Sequence, residues 1–319
     1  MNEYQSRNNK IKSDKLSLLL HCPICMASMK VQANSLVCDE HHSFDIARGG
    51  YVNVLKKPAT VKYTKSLFHA RKAISESGLF DPLDQSITRL IDRYWMSKNR
   101  MPNVLDVGCG EGSRLVRIQE QLQHIMTEKT STSSEAHTSD APHIEQRASI
   151  FAGFDIAKEG IALACKHELD AAWFVADLAQ CPVKDRTFDI ILNILSPSHY
   201  GQFKRILRPD GLVVKVVPEQ HYLHELRKML FVASEKQEYE GSDDSQQQFA
   251  DQFRLIASER VTEQVTLNQT QVHQLLQMTP LAWHAEQQTI EAIQQLDQMN
   301  ITLDLTVLVG DQQQPIIYT

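Results

Sequence analysis

Two groups of residues in this 319-residue chain have the types and spacing to do chemistry. The first is Val104-Leu105-Asp106-Val107-Gly108-Cys109-Gly110-Glu111-Gly112, a short apolar run that opens onto glycine at alternate positions. Such a run reads as a buried parallel strand turning sharply into a helix, with backbone amides offered to a ligand. The spacing is G-x-G-x-G, whereas the dinucleotide fingerprint is G-x-G-x-x-G with a helix amino-terminus aimed at a pyrophosphate. Asp106 and Glu111 flank the turn and would repel a pyrophosphate. The charges therefore favour S-adenosylmethionine, which carries a sulfonium and an ammonium, over a nicotinamide dinucleotide.

The second group is Cys22, Cys25, Cys38 and His42, spaced C-x2-C-x12-C-x3-H. The Cys-Pro-Ile-Cys knuckle sets two thiolates on one tight turn and the later pair completes four ligands, as a closed structural zinc site requires. His41 adjoins His42 and leaves the fourth ligand open between them. A segment this small buries no core of its own, so the metal would contribute most of its folding energy. The other cysteines, Cys109, Cys165 and Cys181, are scattered and read as packing in a reducing cytosol.

These groups need elements to position them. Ile150 to Asp155 and Trp173 to Asp177 read as the strands that follow the glycine-rich one, each ending in an acid. Asp155 is placed to accept the ribose hydroxyls, and Asp177 the adenine amino group. Phe188 to Leu195 reads as a fourth strand, and ligands in open α/β sheets sit beyond the strand carboxyl ends. Asn193, Ser196 and Pro197 are thus the candidates for an acceptor pocket, with Asn193 a positioning group rather than a base. Leu212 to Val217 makes a fifth strand, which brings Tyr222 near the methionine half of the donor. Phe80, just ahead of the helix leading to the glycine-rich strand, either folds over the donor site or serves as a core aromatic. Gln252 to Leu267 and Ile301 to Val309 alternate like two edge strands of a final antiparallel hairpin. The expected fold is α/β: a Rossmann-like, mostly parallel sheet of seven strands with a small amino-terminal zinc module.

Residues 1–15 are polar and aperiodic and read as a disordered lead-in, 16–60 as the zinc module, 61–100 as a helical connector and 101–319 as the donor-binding domain. Within the last, 126–149 read as a flexible insertion and 239–248 as a polar loop. Net charge is −6, yet residues 1–75 hold 12 Lys and Arg against 5 Asp and Glu. Basic charge is local and amino-terminal, so one module is expected to meet a polyanion while the acidic body binds something else. Lys56, Lys57, Lys62, Lys65, Arg71 and Lys72 are interleaved with Tyr63 and Phe68, the mixture that phosphate contact plus base stacking needs. No apolar run approaches a membrane span, and the expected location is the cytoplasm.

With these residues in hand, the chain resembles the RlmA family of bacterial 23S ribosomal RNA (guanine-N1)-methyltransferases. The resemblance rests on Cys-Pro-Ile-Cys with Cys38 and His42, Phe44 to Ala47, Gly49 to Leu55, Ala70-Arg71-Lys72, the Val104 to Gly112 loop, and Leu276 to Trp283. Asn193 to Ser198 and Lys215 to Pro218 resemble the branch found in Gram-positive bacteria. It implies a class I methyltransferase with zinc on Cys22, Cys25, Cys38 and His42, and donor contacts at Gly110 and Glu111, beside the Gly108 of the glycine loop, with Phe80 and Tyr222 at outer positions. It further implies 23S rRNA as partner, neither DNA nor membrane, and a homodimer. Two other readings stand beside it: a methyltransferase for a small molecule or protein, and a zinc-containing ribosome-binding protein that no longer turns over.

Overall fold

The computed structural model describes residues 12–59, 63–98, 100–133, 149–231 and 241–312. Residues 12–19 form helix α1, whose Leu16 and Leu19 are fully buried. The expected lead-in over 1–15 is therefore too long: 12–15 are helical because the leucine stripe docks in one core with Val52, Phe174 and Val183, and 1–11 lie outside the described residues. Strands β1 (Met29–Gln32), β2 (Ser35–Cys38) and β3 (Ser43–Asp45) form a small antiparallel sheet, and β4 (Val52–Asn53) follows. Helices α2 (Lys65–Glu76) and α3 (Asp81–Tyr94) lead to β5 (Val104–Val107) and α4 (Ser113–Ser133). Then come β6 (Phe151–Asp155), α5 (Lys158–Ala164), β7 (Ala171–Val175), β8 (Phe188–Ile194), α6 (Tyr200–Ile206) and β9 (Leu207–Pro218). The chain closes with α7 (His224–Leu230), α8 (Asp243–Ala250), β10 (Arg254–Asn268), α9 (Gln269–Met278), α10 (Gln287–Gln294) and β11 (Gln298–Asp311).

The large sheet has eight strands in the order β10-β11-β9-β8-β5-β6-β7-β4. All neighbours from β9 through β4 run parallel, and β10 and β11 are antiparallel. Seven of these are the expected strands, and the eighth corrects that number: β4, from the segment after the zinc ligands, adds to the β7 edge through Val52 opposite Phe174 and Asn53 opposite Val175. Parallel sheets covered on both faces carry continuous apolar runs. Accordingly β5 and β7 are buried at every position.

Three further expectations need correction. Of the two strands of that hairpin only β10 lies at an edge; β11 is internal, and its Thr302, Asp304 and Thr306 are buried because each has a partner. Asp304 accepts from Arg260 and Thr262, Thr306 donates to Glu219, and Thr302 donates to Glu225. Helix α4 runs past the expected start of the insertion at 126 to Ser133, and 134–148 lie outside the described residues. The polar segment 239–248 contains the start of α8, held by Phe249, which is fully buried.

Helices α2, α3 and α4 are joined by one buried carboxylate. Asp84 is fully buried and accepts from Arg114 Nη1 at 3.0 Å and Arg117 Nε at 2.7 Å, while Arg117 also donates to Ser75 Oγ and its carbonyl. Removing one partner of a buried ion pair costs about 3–5 kcal/mol because the other charge is left uncompensated. Asp84→Ala should therefore lower unfolding stability by about 3 kcal/mol in urea titration, and Asp84→Asn by less, since the amide oxygen still accepts.

Candidate active site and metal centre

At the carboxyl end of β5 the chain turns through Gly108, Gly110 and Gly112 at φ of 72°, 58° and 84°. These left-handed values favour glycine. At Gly108 space is closed as well, because a Cβ would stand 2.7 Å from Cβ of Ser196. Gly108 and Cys109 donate their amides to the Phe154 carbonyl, and Gly110 donates to Asp155 Oδ2 at 2.9 Å. Asp155 Oδ1 accepts from the Ala157 amide. The acid at the end of β6 thus clamps the glycine turn to its own strand. Burial raises its pKa, against the pull of those amides and of Arg71.

A cleft opens over this turn in two lobes of about 510 and 270 Å³. Tyr63, Arg71, Gly108, Leu195, Ser196 and Pro197 line both, so the lobes are continuous. The smaller holds Asp155 and Asp177, which gathers the two strand-end acids where the sequence puts them. Asp177 Oδ1 accepts from the Ala179 amide, and its other oxygen has no hydrogen bond among the described residues. Gly110, Glu111, Phe80, Arg114 and Tyr222 line the larger lobe. Arg114 lies over the Phe80 ring at 4.6 Å, so Phe80 is both a buried aromatic and a cleft wall. Burial pushes the Tyr222 hydroxyl up to about 12, which keeps it protonated at neutral pH.

Two expected site residues fall elsewhere. Asp106 is 3% exposed and lines neither lobe, because it sits in the middle strand of the sheet beneath the turn. Burial, opposed by Arg114 and reinforced by Asp155, Asp84 and Glu111, pushes its carboxyl up to about 7. Asn193 also lies below the cleft floor, fully buried. Its amide nitrogen donates to Ser196 Oγ at 2.7 Å and the Pro197 carbonyl at 3.0 Å, so it shapes the loop whose Ser196 and Pro197 do line the cleft.

The structure adds cleft residues to which the sequence assigns no donor or acceptor role. Arg71 lies over the Tyr63 and Phe68 rings at 5.4 and 5.5 Å and donates to the Met278 carbonyl. Lys215 lines the larger lobe from β9. A single lysine within Leu-Val-Val-Lys-Val-Val was the available signal for it.

The zinc ligands converge. Cys22 and Cys38 Sγ lie 3.6 and 3.4 Å from His42 Nδ1, and Cys25 and Cys38 Sγ are 3.6 Å apart. A tetrahedral zinc with its usual bond lengths has edges of about 3.8 Å between sulfurs and about 3.5 Å from sulfur to nitrogen. The donor set therefore fits zinc, with Nδ1 as the ligand atom. All four ligand atoms lie within 4.8 Å of one another, and His41 is not among them. His41 is exposed with φ of 62°, the turn residue that carries His42 inward.

A parallel sheet in this order, a glycine turn clamped by a strand-end acid and a cleft across the strand carboxyl ends define a Rossmann-like methyltransferase joined to a zinc ribbon. Residues 20–65 match the family model described as "RlmA, N-terminal", a zinc ribbon. A protein of Bacillus subtilis (strain 168), YxjB, provisionally named a 23S rRNA (guanine-N(1)-)-methyltransferase, is 37% identical over 92% of this chain and 96% of its own. The 23S rRNA (guanine(748)-N(1))-methyltransferase of Streptomyces fradiae is 28% identical over 84% of this chain and 86% of its own. The chain belongs to the RlmA family of 23S rRNA (guanine-N1)-methyltransferases.

Zinc content separates the two histidines. Purified protein and His41→Ala should carry one equivalent of zinc by mass spectrometry of the metal, whereas His42→Ala and Cys38→Ser should lose most of it.

Proposed function

We propose that this protein transfers a methyl group from S-adenosylmethionine to N1 of a guanine in a 23S rRNA hairpin. The observation that carries this reading is near full-length kinship with the Bacillus subtilis protein in a chain that retains an open cleft beside the glycine turn. When bound, S-adenosylmethionine supplies an electrophilic methyl on a sulfonium.

The cleft's chemistry fits such a donor. Asp155 and Asp177 suit the ribose hydroxyls and the adenine amino group, and Gly110 and Glu111 line the larger lobe, where Phe80 and Tyr222 enclose the methionine end. Arg71 and Arg114 are the cations that suit its carboxylate. N1 lies on the pairing edge of guanine, so the base must leave its stack to meet the methyl. Rings suited to receive it stand at the cleft mouth: Trp283, 39% exposed, lies 5.8 Å from Tyr63, which lines both lobes. Lys56, Lys57 and Lys65 are exposed on the chain between the zinc ribbon and this mouth, where a phosphate backbone would pass. Lys62, from the same expected run, lies outside the described residues. Four protein ligands leave zinc no open position, so the ribbon serves RNA binding and not the chemistry.

Incubation with labelled donor and unmodified 23S rRNA, followed by reverse transcription, tests this. A stop at one guanine is expected; label without a stop excludes N1, and no label favours a binding protein. Trp283→Ala should weaken binding of the RNA hairpin by about 1–3 kcal/mol, the worth of one base stacked on an aromatic ring. Its donor affinity, read by calorimetry, should stay unchanged.

A further inference from the structure

N1 of guanine bears a proton at neutral pH, and a methyl transfer to it must dispose of that proton. Among the described residues, no carboxylate stands at the acceptor end of the cleft. Strand order explains which end that is. The acids that suit the nucleoside lie on β6 and β7, the glycine turn leaves β5, and the lobe continues across the ends of β8 and β9. A methyl delivered over β5 therefore meets an acceptor lying over β8 and β9.

Lys215 on β9 lines that part of the cleft, 7% exposed, in register with Asn193 of β8. Its Nζ reaches Ser198 Oγ at 2.6 Å and Asn193 Oδ1 at 3.1 Å. A polar chain fixes the sense of these bonds. Ser196 Oγ donates to the Val107 carbonyl, which obliges it to accept from Asn193 Nδ2. The Asn193 oxygen is thereby turned toward Ser198 and Lys215, and Ser198 donates its own hydrogen to it at 2.6 Å. Both partners of Lys215 are acceptors. A neutral amine has two N–H groups and one lone pair, so these two bonds use both hydrogens and leave the lone pair free.

We propose that Lys215 is the general base of the reaction, its neutral amine taking the proton from guanine N1 as the methyl arrives; this rests on the N1-methyltransferase reading above. The N1–methyl bond forms as the donor's sulfur–methyl bond breaks, and the N1 proton passes to the Nζ lone pair. The products are N1-methylguanine, neutral S-adenosylhomocysteine and a Lys215 ammonium that returns its proton to water.

The surroundings favour the neutral amine. No carboxylate lies within ion-pair distance of Nζ among the described residues. The Tyr200 ring on α6 stands 6.0 Å away, Asn193 and Ser198 are uncharged, and Glu111, Arg114 and Tyr222 share the same lobe. Glu219, further along the chain, is occupied by Ser242, Gln246 and Thr306. Burial lowers the Lys215 pKa to about 8. A lysine tuned down toward the working pH by burial suits a base.

Single-turnover methylation of the rRNA hairpin across pH tests this. Because the neutral form is the active one, the wild-type rate should rise about tenfold per unit below pH 8 and level off above it. Lys215→Met should lose about 10²–10⁴-fold in rate together with that inflection, with donor affinity by calorimetry unchanged. Small primary amines should restore part of the rate to Lys215→Ala, more basic amines restoring more, an effect that a purely structural lysine would not show. A Lys215→Met rate within a few-fold of wild type, a loss confined to donor binding, or failure of every amine to rescue would overturn the proposal. Absence of N1 methylation by the wild type would instead overturn the function on which it rests.

Discussion

The cleft depends on how the chain leaves the central strand. A parallel strand buried on both faces must discharge its backbone polarity at its carboxyl end, and here it does so within five residues, Gly108 to Gly112. Three left-handed positions fold the chain back tightly enough for Gly108 and Cys109 to share the Phe154 carbonyl and for Gly110 to reach Asp155. A Cβ at Gly108 would strike Ser196, so the same turn sets how closely the loop after β8 approaches. The two lobes of the cleft and the loop after β8 meet at this point because there is room for no side chain between Gly108 and Ser196.

Two buried charges near the cleft show opposite solutions to desolvation. Asp84 is matched by two guanidiniums, an arrangement that holds three helices and keeps Arg114 at the cleft wall. Lys215 has no counter-ion among the described residues; it is met by one amide oxygen and one hydroxyl. Burying an unpaired ammonium is costly, and the usual relief is a shift toward the neutral form. The first arrangement suits a scaffold, and the second suits a group that exchanges a proton.

The zinc ribbon is bound to the catalytic sheet through backbone as well as side chains. Beyond the metal ligands the chain supplies β4 to the β7 edge, and Ile46, Val52 and Val54 enter the same core as Phe154 and Phe174. Leu20 bridges to Val183 ahead of the first cysteine. An exposed parallel edge is a site for unwanted pairing, and the ribbon's own strand covers it. A module stapled by metal is thus held at a set position relative to the cleft it serves.

Much of this was legible in sequence because it is local. Glycine at alternate positions demands a tight turn, C-x2-C with a later Cys and His demands a metal, and apolar runs ending in acids demand strands with carboxylates at one rim. The sequence by itself determined those elements, the order of ligands on the chain and the donor chemistry they suit. Tertiary structure decided what depends on contacts between distant residues. It placed Asp106 under the turn and not beside it, made Asn193 a brace for its loop, and chose His42 over His41 through one left-handed residue. It also set Lys215 opposite Asn193, a meeting made by strand register over 22 residues of separation. Periodicity reports which face of an element is buried; only packing determines what a buried polar atom finds there.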